Sequence, residues 1–328
     1  MGLRLIILLI FFTSLSADEL KIITSSGIAE GYLKNKIIKW DDIPYAEPPI
    51  NELRWKAPRK ISQKSNLIEP KDNNFCIQRT SSLGGSSQFS DELISGNEDC
   101  LYLDIYAPSK KSDGLFPVMF WIHGGGNTSG LKDLYDFTKL VKKHDVIVVT
   151  INYRLGPLGW FTHPAIQGLQ DGLDKASNFG TLDIIAALEW VNENINLFGG
   201  DPRNITIFGE SAGGHNVLSL LVSKQAKGLF HKAISMSGYT ESISIEDAYK
   251  QKNQSPTSNY SASEVVKKII NDQPYKNEKD NYNNGKLRNL LYSLSGKEFY
   301  QYYAERESFE ELPLLTNDGI VIPKIGLK

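Results

Sequence analysis

The chain contains a Gly-x-Ser-x-Gly sequence whose serine could act as a nucleophile. Residues 205–214 read Ile-Thr-Ile-Phe-Gly-Glu-Ser-Ala-Gly-Gly, and the serine is Ser211. A β-branched run precedes the first glycine, and apolar side chains recur at helical spacing over residues 212–223. A strand, a tight glycine turn and a helix in this order are typical of a nucleophile elbow, which lifts the serine hydroxyl clear of the sheet. The alternative is a glycine-rich turn without chemical function.

A second glycine run lies at the end of another apolar segment. Residues 121–126 read Trp-Ile-His-Gly-Gly-Gly. Acyl transfer places negative charge on the carbonyl oxygen, and backbone N–H groups can stabilise that charge where no side chain blocks their approach. Together with the N–H of Ala212, the residue after the serine, this run would form an oxyanion hole. An ordinary glycine loop is the alternative.

The elements that must position these two sequences form an α/β pattern. Continuous apolar runs, the pattern of strands buried on both faces, occur at residues 101–106, 118–123 and 146–151, and further strands are predicted at 205–208 and 232–237. The clearest helix is Thr181–Phe198, which has apolar residues at helical spacing. Alternating strands and helices predict a parallel or mixed sheet with right-handed crossovers.

Other segments have weaker patterns, and the sequence contains no internal repeat and no clear second domain. The further predictions are a hairpin over residues 21–40, an extended loop over 43–49, a surface segment over 81–97, a polar loop over 239–260, and surface helices over 261–272 and 286–295.

Length and charge restrict the function classes. With 328 residues, of which 41% are apolar, the chain can bury one large α/β core or two ordinary ones. The formal net charge of −2 provides no basic surface for nucleic acid, and no polybasic segment is present to bind a membrane surface. We therefore predict no nucleic-acid partner, and we predict neither a cofactor nor a metal site.

The first residues resemble a secretory signal. A basic start at Arg4 is followed by the apolar run Leu5–Phe12, which is too short to span a bilayer, and then by small residues. We predict that residues 1–17 are a signal peptide cleaved after Ser16 or Ala17. The protein would then be secreted or reside in the secretory lumen. No later segment has the pattern of a transmembrane helix.

Cys76 and Cys100 are the only cysteines. In an exported chain a lone pair is most simply a disulfide, which here would close a loop of about 25 residues and add ~3 kcal/mol of stability. Two free buried thiols are the alternative if the chain is not exported. The glycosylation sequons at Asn204, Asn253 and Asn259 fit the same secretory route.

Four longer motifs occur in a fixed order before and around the serine. They are Glu-Asp-Cys-Leu-Tyr-Leu-Asp-Ile at 98–105, Asn-Tyr-Arg-Leu-Gly at 152–156, Asn-Phe-Gly at 178–180 and Phe-Gly-Gly-Asp-Pro at 198–202. On these motifs the chain resembles the type-B carboxylesterase/cholinesterase family, which has the α/β-hydrolase fold. The resemblance extends from about Ile23 to Gly238, with a weaker match at 312–323.

The resemblance implies a serine hydrolase acting on small carboxylic esters. Ser211 would be the nucleophile, and Gly125, Gly126 and Ala212 would donate to the oxyanion. Glu210, beside the nucleophile, would line the pocket and influence a catalytic histidine, unless it is a solvated or structurally paired carboxylate. The fold implied is a mixed, mostly parallel sheet flanked by helices.

The resemblance also implies three structural links. They are the disulfide Cys76–Cys100 and the ion pairs Arg54–Glu98 and Arg154–Asp183. Two departures from the family are notable. No tryptophan lies between the cysteines, so choline esters are not expected substrates. Asn127 follows the glycines in place of the usual aromatic residue and changes the acyl pocket.

The acid and the histidine of a triad are not expected in this chain. In α/β-hydrolases they follow the serine in that order, and the family's segments that carry both come after the last residues present here. The carboxylesterase domain, 18–328, would thus lack its C-terminal strands and helices. His215 is expected to pack within the fold, His231 to lie at the surface and His123 to position the glycine loop. Asp318 matches a structural Asp-Gly of the family.

Three functions remain open at this stage. The first is an ester hydrolase that works through an acyl-enzyme and is inactive as this chain unless extended. The second is a non-catalytic binding or adhesion protein on the cholinesterase fold. The third is a truncated, inactive paralogue. The sequence leaves the oligomeric state open.

Overall fold

A computed structural model describes residues 20–62, 65–71, 74–84, 93–110, 112–250, 261–272, 282–304 and 315–327. The predicted signal peptide and the sequons at Asn253 and Asn259 lie outside these residues. Within them, no helix has the length and apolarity needed to cross a membrane.

The described residues contain a central sheet of seven strands and two small sheets. The strands are β1 (Lys21–Thr24), β2 (Gly27–Glu30), β3 (Tyr32–Lys34), β4 (Ile37–Pro44), β5 (Ser65–Leu67), β6 (Gln78–Arg79), β7 (Ile94–Ser95), β8 (Tyr102–Pro108), β9 (Phe116–Ile122), β10 (Ile147–Ile151), β11 (Gly200–Glu210) and β12 (Lys232–Met236). The helices are α1 (Thr138–His144), α2 (Gly156–Gly159), α3 (Pro164–Gln167), α4 (Phe179–Asn194), α5 (Ala212–Val222), α6 (Ile245–Lys250), α7 (Ala262–Asp272), α8 (Asn284–Ser293) and α9 (Gly296–Gln301).

The central sheet has the order β12-β11-β9-β10-β8-β4-β3. The pairs β12–β11, β11–β9 and β9–β10 are parallel, whereas β10–β8, β8–β4 and β4–β3 are antiparallel. Five of these seven strands therefore run in the same direction. The prediction of an α/β fold with a mixed, mostly parallel sheet is confirmed.

Apolar strands bury both of their faces, because alternate side chains enter two separate cores. Phe120 and Ile207 lie in the larger core, which also contains apolar residues of α4 and α5. Their sequence neighbours Trp121 and Phe208 lie in a smaller core beside Val141 of α1. The middle of the sheet is thus covered on both faces, which explains why strands such as β8 and β10 read as continuous apolar runs.

Several predicted boundaries differ from the structure. The helix predicted over 181–198 begins earlier, at Phe179, and ends as a 3₁₀ turn at Ile195–Phe198, where Gly199 takes a left-handed conformation with φ of 84°. Glycine is the residue that enters this conformation at least cost, so it ends the helix. The extended loop predicted over 43–49 is wrong at its start, since Pro44 is the last residue of β4 and pairs with Tyr102.

The segments after β12 contain more helix than predicted. The polar loop predicted over 239–260 contains α6 in its described part, and α9 was not predicted. The signal for α9 was present, because Ser295 and Glu298 form a reciprocal capping box. Helix α7 is an amphipathic surface helix, since Val265, Val266 and Ile269 are buried and Lys267 and Lys268 are exposed.

Strand β12 is the edge strand of the central sheet next to β11, and β3 forms the opposite edge. Strand β12 pairs with β11 along one side, and its other side has no partner strand among the described residues. All five of its residues are exposed, including Ile234 and Met236 at 45% and 38%. An apolar strand with an open hydrogen-bonding edge is a surface on which further polypeptide can pair.

Three long-range links join the loops to this framework. Cys76 and Cys100 are bonded and both are buried. Arg54 binds Glu98 through two N–H groups and also donates to the Leu294 carbonyl at 2.7 Å.

The buried pair Arg154–Asp183 connects the loop after β10 to α4. The Arg154 guanidinium donates twice to the Asp183 carboxylate, at 2.8 and 2.7 Å, and the Arg154 backbone N–H donates to it at 3.0 Å. Such bidentate geometry orients the two segments with respect to each other. The structure therefore contains the disulfide and both ion pairs that the resemblance implies.

Replacing both cysteines by serine should lower the free energy of unfolding by ~3 kcal/mol. The disulfide links residues 24 positions apart and so restricts the unfolded chain. Urea unfolding followed by circular dichroism measures the difference. Wild-type protein with a reducing agent is the matched control and should unfold like the variant. Equal stability of the oxidised wild type and the variant would contradict the prediction.

Candidate active site

Ser211 occupies a sharp turn between β11 and α5. Its φ of 55° and ψ of −121° are unusual for a residue with a side chain. The turn is held on both sides by hydrogen bonds. The Ser211 N–H donates to the Met236 carbonyl at 2.9 Å, and the Ser211 carbonyl accepts from the His215 N–H at 2.9 Å. A strained conformation kept in this way is characteristic of a functional position.

The glycines around Ser211 are required by close backbone contacts. A Cβ atom at Gly213 would lie 2.1 Å from the Ile122 carbonyl oxygen, and one at Gly209 would lie 2.5 Å from the Gly213 backbone. Both distances are far below van der Waals contact. The first turn of α5 can therefore approach the end of β9 only with glycine at these positions.

The glycine loop after β9 lies against Ser211. A Cβ atom at Gly124 would be 3.3 Å from the Ser211 Cβ. Gly125 and Gly126 have φ of 98° and 63°, which favour glycine. The Gly125 carbonyl is turned into the loop, where it accepts from the N–H groups of Thr128 and Ser129, both at 3.0 Å.

Three backbone donors beside Ser211 are unused. Within the described ranges, the N–H groups of Gly125, Gly126 and Ala212 donate to no protein acceptor. Ala212 is the first residue of α5, whose leading N–H groups have no partner within the helix. Free backbone donors next to a serine hydroxyl are the arrangement that stabilises an oxyanion during acyl transfer.

The Ser211 side chain is partly exposed, and its hydroxyl makes no hydrogen bond with the described part of the chain. All five histidines of the sequence are described, and none of their rings bonds to this hydroxyl. His144 is exposed at the end of α1, and His163 accepts from the Ala165 N–H at the start of α3.

His215 and His231 are also used elsewhere. The His215 ring stacks on Tyr239, with centroids 4.2 Å apart, and its Nδ1–H donates to the Tyr239 carbonyl at 2.6 Å. Burial lowers the pKa of His215. His231 is exposed and accepts from the Ile205 N–H. The described residues therefore provide no general base at Ser211.

His123 lies beneath the glycine loop and holds its first residue. It is fully buried, its Nδ1–H donates to the Gly124 carbonyl at 2.9 Å, and its ring stacks on Tyr153 with centroids 4.3 Å apart. Burial lowers the pKa of His123 to about 4, although the hydrogen bond to Gly124 acts in the opposite direction. The imidazole is therefore neutral at pH 7 and acts as a donor to the loop.

The loop has further anchors that were not predicted. Gln78, two residues after Cys76, accepts from the Gly130 N–H at 2.9 Å and donates to the Gly130 carbonyl at 3.0 Å. The Tyr300 hydroxyl donates to the Thr128 carbonyl at 3.2 Å. No local sequence signal identifies such residues, because each lies far along the chain from the loop it binds.

Glu210 lies next to Ser211 in sequence, and Asp318 belongs to the Asp-Gly pair at residues 318–319. Glu210 is partly buried beside Gly124 and forms no hydrogen bond or ion pair with the described residues. Asp318 is fully engaged in local structure, since one oxygen accepts from three successive N–H groups at residues 320–322 and the other from Asn178. Asp318 therefore acts as a structural residue.

Two sequons lie within the described residues. Asn127 is buried, at 8% exposure, and its side-chain oxygen accepts from Asn216 at 2.8 Å. A glycan at this position would displace the glycine loop. Asn204 is partly exposed, and its side-chain oxygen accepts from Lys232.

Comparison with known proteins identifies the family. The carboxylesterase family matches residues 18–302, which is most of the chain. The chain belongs to the carboxylesterase family. Among carboxylesterases, it is 43% identical over 228 residues to the para-nitrobenzyl esterase of Bacillus subtilis (strain 168), covering 69% of this chain and 45% of that protein. It is 43% identical over 202 residues to the human cocaine esterase, covering 60% and 35%.

Solved carboxylesterase structures match the fold. A PNB esterase structure superposes with a TM-score of 0.75 at 33% identity, covering 93% of this chain and 58% of that chain. The Geobacillus stearothermophilus carboxylesterase EST55 gives a TM-score of 0.72 at 31% identity, covering 92% and 57%. The chain thus spans about half the length of the relatives it matches.

The buried neutral His123 should make stability depend on pH. Because its pKa is lowered in the folded protein, its contribution is present above pH 6.5 and is lost as pH falls through about 4. His123→Asn keeps a donor near Nδ1 but cannot be protonated in this range. Between pH 7 and pH 4, wild type should lose ~3 kcal/mol more unfolding free energy than the variant.

Urea unfolding of both proteins at several pH values measures this difference. His163 and His215 titrate in both proteins, so their effects cancel in the comparison. Parallel pH profiles for wild type and His123→Asn would contradict the prediction.

Proposed function

We propose that the complete protein is a serine carboxylic ester hydrolase. The Ser211 Oγ attacks the ester carbonyl carbon and passes its proton to the proposed triad histidine, which returns it to the departing alcohol as the tetrahedral intermediate collapses to an acyl-enzyme. Water then attacks the acyl carbon, which releases the carboxylic acid and restores the serine. The proposal rests chiefly on the strained Ser211, whose free hydroxyl lies beside a glycine loop with unused donors.

Gly125, Gly126 and Ala212 are the proposed oxyanion donors. Their N–H groups have no other acceptor in the described ranges, so they need no rearrangement when charge develops on the substrate oxygen. Preorganised donors of this kind contribute about 10²- to 10³-fold each to turnover. Glu210 is a proposed wall of the same pocket, with its unpaired carboxylate beside Gly124.

The acid and the histidine of the proposed triad would come from polypeptide that corresponds to the unmatched part of the longer relatives. In support, no histidine ring of this chain bonds to Ser211, and the chain covers only 45% of the Bacillus subtilis esterase and 58% of a solved PNB esterase chain. The open edge of β12 offers a place for such polypeptide to pair. Met236, the last residue of β12, accepts from the Ser211 N–H on the side that faces β11, so β12 ends beside Ser211.

The substrate class is proposed from the relatives. Proteins named para-nitrobenzyl esterase, cocaine esterase and pyrethroid hydrolase share 43–44% identity with this chain over about 200 residues. A small carboxylic ester is the substrate that these names and the site chemistry have in common. We further propose that residues 1–17 direct the chain, with domain 18–328, to the secretory route, where a disulfide such as Cys76–Cys100 persists.

The second candidate function for the 328-residue chain by itself is that of a protein without catalytic activity. It is favoured by one observation, the lack of any imidazole at the Ser211 hydroxyl. A serine without its base loses about a millionfold in turnover.

Hydrolysis of p-nitrophenyl acetate separates these possibilities. We expect negligible hydrolysis by residues 18–328 alone and rapid hydrolysis by a protein extended along the same reading frame. In the extended protein, Ser211→Ala should lower kcat about 10⁶-fold. Ser219→Ala is the matched control, because Ser219 lies on the same helix with its hydroxyl bound to the His215 carbonyl.

Two results would count against the proposal. Full activity of the extended Ser211→Ala variant would exclude Ser211 as nucleophile. Rapid hydrolysis by residues 18–328, abolished by Ser211→Ala, would mean that the chain already holds a base.

Gly124→Ala should lower kcat of the extended protein by about 10²-fold, since the new methyl would push the loop away from Ser211. Gly114→Ala is the control, because a Cβ there meets nothing within 4 Å. Steady-state kinetics of both variants provide the measurement. Equal kcat values for the two variants would refute a close fit between the loop and Ser211.

A further inference from the structure

A hydrogen bond joins the glycine loop directly to the helix that carries the nucleophile. The Asn216 Nδ2 group donates to the Asn127 Oδ1 atom at 2.8 Å. Asn127 follows the glycine run, and Asn216 lies five residues after Ser211 on α5. The two parts of the proposed machinery, the oxyanion donors and the nucleophile, are therefore connected through these two side chains.

Asn127 is well suited to this position in both its backbone and its side chain. Its φ of 57° is left-handed, a conformation that asparagine tolerates better than most residues. Its backbone carbonyl accepts from the Gly156 N–H at 2.7 Å, which anchors it to the loop after β10. Its side-chain oxygen accepts from Asn216 and, at 3.4 Å, from the Tyr153 hydroxyl.

Asn216 has no evident role in stability. Its side chain is fully buried, and its Oδ1 atom has no hydrogen-bond partner among the described residues. A half-satisfied buried amide is unfavourable compared with a well-packed apolar residue. The Asn216 Nδ2 group makes a directional hydrogen bond with Asn127 and also interacts with the Tyr153 hydroxyl, which itself contacts Asn127.

Tyr153 also contacts the glycine loop, through its hydroxyl group. It donates to the His123 carbonyl at 2.7 Å, at the residue where β9 ends and the glycine loop begins. The His123 ring stacks on the Tyr153 ring. The loop is thus held at its start by Tyr153 and after its glycines by Asn216, on either side of the donors Gly125 and Gly126.

We propose that Asn127 and Asn216 are positioning residues that set the height of the Gly125 and Gly126 N–H groups above the Ser211 hydroxyl. The expected effect on turnover rests on the proposed function. The expected effect on the position of the glycine loop does not depend on it. An oxyanion is stabilised only when its donors lie at hydrogen-bond distance from the position that the charged oxygen will occupy. A loop displaced by about 1 Å retains its donors and loses much of their effect.

Hydrogen–deuterium exchange followed by mass spectrometry tests the structural part on residues 18–328. Asn216→Ala removes the donor, and Asn127→Gly removes the acceptor while keeping a residue that favours positive φ. In each variant, we expect amides of residues 124–130 to exchange about tenfold faster. The double variant should exchange no faster than the faster single variant, because both changes break the same bond.

Asn192→Ala is the matched control. Asn192 lies on α4, where its amide donates to the Leu188 and Leu229 carbonyls. Its replacement also removes amide hydrogen bonds from a helix but leaves the glycine loop untouched. Exchange over residues 124–130 should remain that of wild type.

Kinetics of the extended protein test the catalytic part. Asn216→Ala should lower kcat about 10- to 100-fold with KM changed less than about twofold, because the loss concerns the transition state and not substrate binding. Wild-type exchange over residues 124–130 in both single variants, or additive effects in the double variant, would overturn the proposal. An unchanged kcat in an active extended protein would overturn it as well.

The two experiments separate this inference from the proposed function. If the extended wild type lacks esterase activity, the proposed function fails, while faster exchange in the variants still supports a positioning role for Asn127 and Asn216. If the wild type is active and exchange is unchanged in the variants, the proposed function stands and this inference fails.

Discussion

The site depends on one close contact, between the first turn of α5 and the end of β9. Gly213 lies so near the Ile122 carbonyl that any side chain there would collide with it, and Gly209 is equally restricted. This approach leaves Ser211 in a left-handed conformation that the chain would otherwise avoid. The cost of that conformation is met by packing of the surrounding cores, which over-determine the turn. As a result, the Ser211 side chain lies at the carboxyl end of β11, beside the glycine loop.

The glycine loop is rigid because its anchors come from different parts of the fold. His123 holds it from beneath, Gln78 from the disulfide-linked segment, Tyr300 from α9 and Asn216 from α5. Glycine has the greatest backbone freedom of any residue, so an unanchored run of three would be mobile. Because anchors from several segments hold the loop in one conformation, its N–H groups are available before any ligand is bound. Preorganisation of this kind is the largest single contribution in many acyl-transfer enzymes.

The structure around Ser211 is closely packed on one side and open on the other. On one side the glycine loop and the start of α5 are formed and tightly packed. On the other side, β12 has exposed apolar residues and an edge that is unpaired among the described residues. No imidazole lies within hydrogen-bond distance of the Ser211 hydroxyl. Stabilisation of charge and transfer of protons are separable tasks, and the described residues include the groups proposed for the first.

The sequence by itself determined the elbow around Ser211, the glycine run, the buried strands and the family, because each depends on residues close together in the chain or on motifs of fixed order. It did not predict Gln78, Asn216 or Tyr300 as anchors, nor the exposure of β12. Those features arise where segments far apart in sequence meet, and neither periodicity nor spacing specifies which side chains face each other across such contacts. Local patterns thus decided which chemistry could occur, and tertiary packing decided which residues hold it in place.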